Sequence, residues 1–319
     1  MLISQRLMSL LLAVSAVTGC SAFGSNHPTG SNHPANTHSP TVEPSMHQTN
    51  VSSHHVKPNV SYQSVTQQPF KVADHLIAYG SNETQYGLYW QPDIPKSNRP
   101  LVVFIHGGCW LSEYNIEHSY ALASAIAERG YPVWSIEYRR TGKTGGGWPV
   151  TYQDIIKGIA AAEQLGSYNT DLTSADITRI ALIGHSAGGH LALLAGGNWN
   201  STPALANLPF SLAGTIGLAA ITDIEEYAKG TNSCETATPQ FMGGDAAQLP
   251  EAYQQANPAA ITHWQQTWLL HGTADTFVAT EQAKLNGATT LMLKEAGHFD
   301  WIHPQTEAFA TLMRTLEGL

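Results

Sequence analysis

The chain of 319 residues carries 15 Lys and Arg against 24 Asp and Glu, a formal charge of −9, and only 12% of its residues are charged. That acidic balance excludes a protein that coats phosphate backbones with clustered cations, so no nucleic-acid partner is expected. Three cysteines are too few for a disulfide scaffold, and no CxxC pair offers a zinc ribbon.

The chain opens with a short start whose one basic residue is Arg6, followed by an apolar run over 7–17 that is too short to cross a bilayer as a helix. The run ends in Val17-Thr18-Gly19-Cys20, which resembles a bacterial lipoprotein box. Small residues admit a signal peptidase, and the thiolate of Cys20 accepts a diacylglycerol. The resemblance implies a signal peptide over 1–19 and lipidation at Cys20. The protein would then be anchored to a bacterial membrane in the cell envelope. An ordinary cleaved signal and an uncleaved anchor are the alternatives. Residues 20–68 are dominated by Ser, Asn, His, Pro and Thr, with Gly-Ser-Asn-His-Pro occurring twice. Such a composition buries too little surface to offset chain entropy and reads as a disordered tether.

Residues 69–319 read as one domain. A hairpin is expected at 75–79 and 86–91, around Gly80-Ser81-Asn82. Strands are expected at 101–105, 133–137, 180–183, 215–218, 267–270 and 290–293. Helices are expected at 116–129, 152–165, 187–195, 280–285 and 305–316. The strand runs lack clean alternation, which suits strands covered on both faces. Alternating strands and helices imply an α/β fold with a mainly parallel central sheet, helices on both faces and the active site at the strands' carboxyl ends.

Gly184-His185-Ser186-Ala187-Gly188 lies between an apolar strand and a helix start. A turn this tight forces Ser186 into a strained conformation and exposes its hydroxyl at a helix N-terminus. A serine needs a base oriented by an acid. Asp275 and His298 each follow a strand, and the order Ser186, Asp275, His298 is the one this topology uses. Asp300 and Asp223 compete for the acid role, and His303 and His271 for the base. His106-Gly107-Gly108-Cys109-Trp110 follows the first parallel strand. Gly108, Cys109 and Ala187 are the expected oxyanion donors. His106 reads as a structural hydrogen-bonder. Trp110 is placed in the pocket wall, with plain core packing as the alternative.

Together these elements resemble the α/β-hydrolase superfamily. More narrowly, His-Gly-Gly-x-Trp with Gly-His-Ser-Ala-Gly-Gly-His resembles the kynurenine formamidase-like and acetyl or feruloyl esterases. The resemblance implies an α/β-hydrolase fold, a Ser186–Asp275–His298 triad, oxyanion donors at Gly108, Cys109 and Ala187, no cofactor and no metal. The expected activity is serine carboxylesterase on small or aryl esters. An arylformamidase or peptidase, and a non-catalytic envelope binding protein, are the rivals. Residues from 222 to about 255 interrupt the alternation and are expected to form a small cap, with Tyr227, Phe241 and Met242 shaping an apolar pocket. Cys109 and Cys234 either form a disulfide or remain two buried thiols. Neither HExxH nor GxGxxG occurs, and nothing in the sequence points to an oligomeric state.

Overall fold

The computed structural model describes residues 56–167, 177–261 and 266–319. The expected signal peptide, Cys20 and most of the expected tether lie outside the described residues. Strand β1 (His75–Ala78) pairs antiparallel with β2 (Tyr86–Trp90), the expected hairpin. β2 pairs antiparallel with β4 (Val133–Ile136), which lies parallel to β3 (Leu101–Ile105). From β3 the sheet continues in parallel through β5 (Arg179–His185), β6 (Ser211–Leu218), β7 (Thr267–Gly272) and β8 (Thr289–Leu293). The order β1-β2-β4-β3-β5-β6-β7-β8 gives a mostly parallel sheet, the α/β-hydrolase arrangement.

The helices are α1 (Tyr62–Thr66), α2 (Tyr120–Glu128), α3 (Val150–Ala160), α4 (Ala187–Gly197) and α5 (Pro203–Ala206). After them come α6 (Ile224–Tyr227), α7 (Ser233–Met242), α8 (Pro250–Ala256) and α9 (Glu307–Glu317). Helices α6 to α8 form the expected cap. All five residues of β3 are buried, because each face of the strand has its own core. Leu101, Val103 and Ile105 join Ile155 and Ile159 of α3 and Leu191 of α4. Val102 and Phe104 join Leu122 and Ile126 of α2 and Phe309 and Leu312 of α9. Among the described residues no helix is long and apolar enough to cross a membrane.

Two expectations need correction. The helix expected at 280–285 is a single 3-10 turn, Thr280–Gln282. Its Gln282 side chain accepts from the amides of Thr222 and Asp223 and donates to the Asp223 carbonyl, so the turn is tied into the β6–α6 loop rather than extended. The second concerns the tether, expected to run to Gln68. Its last part is ordered: residues 56–68 carry α1, capped by Ser61, and bury Val60 and Val65. One short turn of helix with two buried valines is too small a signal to stand out in so polar a segment.

Candidate active site

β5 ends at His185 and α4 starts at Ala187, so Ser186 alone makes the turn. Its backbone sits at φ 55, ψ −121, the strained conformation expected of a nucleophile elbow. The turn closes only without side chains. A Cβ on Gly188 would lie 2.2 Å from the carbonyl oxygens of both Ile105 and His106. The Ser186 amide bonds the Leu218 carbonyl, and the Ser186 carbonyl accepts from the His190 amide, which fixes the elbow between β6 and α4.

His298 Nδ1 donates to Asp275 Oδ2 at 2.8 Å. The other carboxylate oxygen accepts from the amides of Phe277 and Val278, at 2.8 and 2.9 Å. Burial alone would raise the Asp275 carboxyl. The His298 ring and the two amides outweigh burial and hold it below its ordinary range, so it stays ionised. Nδ1 of His298 is thereby committed as a donor, which leaves Nε2 as the basic nitrogen. Ser186 and His298 line one cavity. Among the described residues Ser186 Oγ has no hydrogen-bond partner; a hydroxyl–imidazole bond of this kind is often long in a free enzyme and tightens when substrate binds.

The rival acids and bases are engaged elsewhere. Asp300 accepts from the amides of Asn59, Val60 and Gly297. Asp223 caps α6 and accepts from Asn257. His271 donates Nε2 to the Val278 carbonyl, 3.9 Å from Asp275 Oδ2. His303 bonds Ser64 and accepts from the Gln305 amide.

Gly108, Cys109 and Trp110 all have positive φ, at 108, 53 and 58. For Cys109 and Trp110 this is a strained conformation that only over-determined surroundings maintain. Leu111 N bonds Gly108 O, Thr141 N bonds Trp110 O, and a disulfide ties Cys109 to Cys234 on α7. Of the two readings of the cysteines, the bonded one holds. The loop also rests on His106, whose ring bonds the Gly107 carbonyl and the Glu137 carboxylate, the structural role expected. The amides of Gly108 and Cys109 have no acceptor among the described residues. Ala187 is the first residue of α4, where helix geometry leaves the amide unpaired. Gly108 and Cys109 line the same cavity as Ser186, and Ala187 follows Ser186 directly in the chain.

Trp110 does not wall the pocket. The reversed backbone turns its indole into the core, where it stacks on Phe241 at 4.7 Å and meets His190 edge-on. Tyr227, Phe241 and Met242 are buried in the same core and do not line the cavity either. The aromatic wall comes instead from Phe277, Phe299, Tyr114 and Tyr62, with His118 and Ser233 beside them. Phe277 and Phe299 follow closely on Asp275 and His298, so adjacency to the motifs was a usable signal. Tyr62 had none. Burial and the nearby His106 push His118 down to about 3, so the ring is neutral. The cavity holds about 190 Å³, below the roughly 300–1,000 Å³ of drug-sized sites.

The sequence pattern of the BD-FAE family matches residues 88–288, a span that contains Ser186 and Asp275 and stops before His298. Esterase LipC of Mycobacterium tuberculosis (strain ATCC 25618 / H37Rv) is 30% identical over 220 residues, 65% of this chain and 52% of that protein. Esterase LipQ of the same strain is 28% identical over 228 residues, 68% of this chain and 51% of that protein. The chain thus spans about half the length of these curated relatives. Among solved structures, esterase B from Lactobacillus Rhamnosis (HN001) superposes with a TM-score of 0.63 at 19% identity, over 81% of this chain and 90% of that one.

Proposed function

The chain belongs to the BD-FAE family, and on that premise we propose that it is a serine carboxylesterase acting on small or aryl esters. The observation that carries this reading is the 2.8 Å His298–Asp275 bond, made by a base that opens on the same cavity as the strained Ser186. The names of the relatives, both esterases, support it.

Ser186 Oγ attacks the ester carbonyl while His298 Nε2 takes its proton. Asp275 holds the Nδ1–H and steadies the imidazolium. The tetrahedral oxyanion forms against the amides of Gly108, Cys109 and Ala187. Collapse breaks the ester C–O bond, and His298 returns the proton to the leaving alcohol. A water deprotonated by His298 then cleaves the acyl-serine, releasing the acid and restoring Ser186. The small cavity and its aromatic wall favour a short acyl group and an aryl ring over a long lipid chain.

For the N-terminal segment we propose cleavage before Cys20 and lipidation there, placing the enzyme on an envelope membrane; the apolar run and Val17-Thr18-Gly19-Cys20 support it. A diacylglycerol thioether carries two acyl chains, enough for stable anchoring. Cys20→Ser should move the protein from the membrane fraction to the soluble one, and retention on membranes would contradict lipidation.

The catalytic reading is tested by comparing kcat/KM on an aryl acetate and on an N-formyl aryl amine. A large preference for the ester is expected. A preference for the amide would replace the esterase with a formamidase, and inactivity on both would favour a binding protein.

A further inference from the structure

Residues 56–66 lie outside the sheet and outside the span that matches the family, yet they reach the cavity. They are held by the segment that carries the catalytic base. Asp300, 1% exposed, accepts from Asn59 N at 2.9 Å and Val60 N at 3.0 Å with one oxygen each. The second oxygen also accepts from Gly297 N, one residue before His298, at 3.1 Å. A single buried carboxylate thus joins this arm to the base loop. Ser64 Oγ bonds His303 Nε2 at 3.2 Å, and Val56 N bonds the Gln305 carbonyl at 2.9 Å. The fit is close: a Cβ on Gly297 would lie 2.2 Å from Asn59 Oδ1. Val60 and Val65 are buried beneath the arm.

This platform presents Tyr62 to the cavity. Its ring centroid lies 5.5 Å from Phe299, 6.1 Å from Tyr114 and 6.0 Å from His118. The contacts are tilted or edge-on, the geometry aromatic rings prefer. Tyr62 is 37% exposed, so it stands on the solvent side of the wall. Phe299 and Tyr114 line the same cavity as Tyr62, which stands beside both, and the space along these rings forms an aromatic slot.

We propose that Tyr62, delivered by the N-terminal arm, is a specificity-determining residue that grips the aryl group of the substrate. The proposal rests on the esterase reading. A substrate ring entering the slot gains one edge-to-face contact from Tyr62, whereas a small alkyl ester cannot reach it.

The test measures kcat and KM of the full chain, Tyr62→Ala and Tyr62→Phe on phenyl and ethyl esters of the same acid. Tyr62→Ala should raise KM for the phenyl ester about two- to tenfold, the range of one aromatic contact. The ethyl ester should change less, and Tyr62→Phe should keep the wild-type phenyl-to-ethyl ratio. Thermal denaturation of each variant checks the fold, which the backbone bonds of the arm should preserve. Equal changes on both esters, or none, would overturn the assignment. Titration of Ser186 with an aryl phosphonate separates the two readings. Normal labelling with an unchanged ester ratio overturns only the role of Tyr62. An unlabelled, inactive wild-type chain overturns the esterase reading and this proposal with it.

Discussion

His185 Nε2 donates to the backbone carbonyl of His298 at 2.9 Å. The residue before the elbow serine thereby holds the loop that carries the base. The two rings lie 4.6 Å apart, and burial together with His298 keeps His185 well below its ordinary value, hence neutral. His185→Phe retains a ring but removes the donor. It should lower kcat on an aryl acetate about tenfold or more while changing KM little, because small misplacements of a base are costly. An unchanged kcat would show that the bond does not position His298.

The disulfide should support both stability and turnover. Cys109 and Cys234 are 125 residues apart in sequence and link the loop after β3 to helix α7. Its loss should cost about 2–5 kcal/mol, as for other native bridges. Urea midpoints and kcat of Cys234→Ser against wild type should both fall. An unchanged midpoint would mean that the bridge constrains neither the folded loop nor the unfolded chain.

Stability should decline as pH falls below about 6.5. Burial lowers His118 from its ordinary 6.5 to about 3 and His190 to about 4, and His185 lies well below. Between the folded and unfolded values the unfolded chain binds more protons, so stability rises with pH across that window. Further down, Asp275 and Glu137, both held below their ordinary range, lose their stabilising charge as pH falls through their folded values. Urea midpoints at pH 7.5, 6 and 5 should decrease in that order. A flat series would contradict the neutral, buried state of these histidines.

The parallel strands were legible because a run such as Leu101–Ile105 has no polar face to hide, and burial on both sides demands that. The placement of Ser186, Asp275 and His298 was legible because each follows a strand's carboxyl end, in the order an elbow serine with an acid and a base would use. What the sequence hid depends on side-chain direction. Trp110 reads as a pocket residue until positive φ at Cys109 and Trp110 turns it inward. The turn at Thr280–Gln282 reads as a longer helix until Gln282 is seen spending its amide on Thr222 and Asp223. Tyr62 is placed by Asp300, a partner about 240 residues away, which no local pattern announces.

On the proposed mechanism Ser186 becomes a nucleophile because His298, held by Asp275, removes its proton. The most direct measurement treats wild type, His298→Asn and Ser186→Ala with an aryl phosphonate and locates the adduct by peptide mass spectrometry. Wild type should carry one adduct on Ser186. Labelling of His298→Asn should slow by about three or more orders of magnitude, and Ser186→Ala should lose ester turnover by a similar factor with its fold intact. An adduct on another residue, or ester turnover in Ser186→Ala near the wild-type rate, would contradict the mechanism.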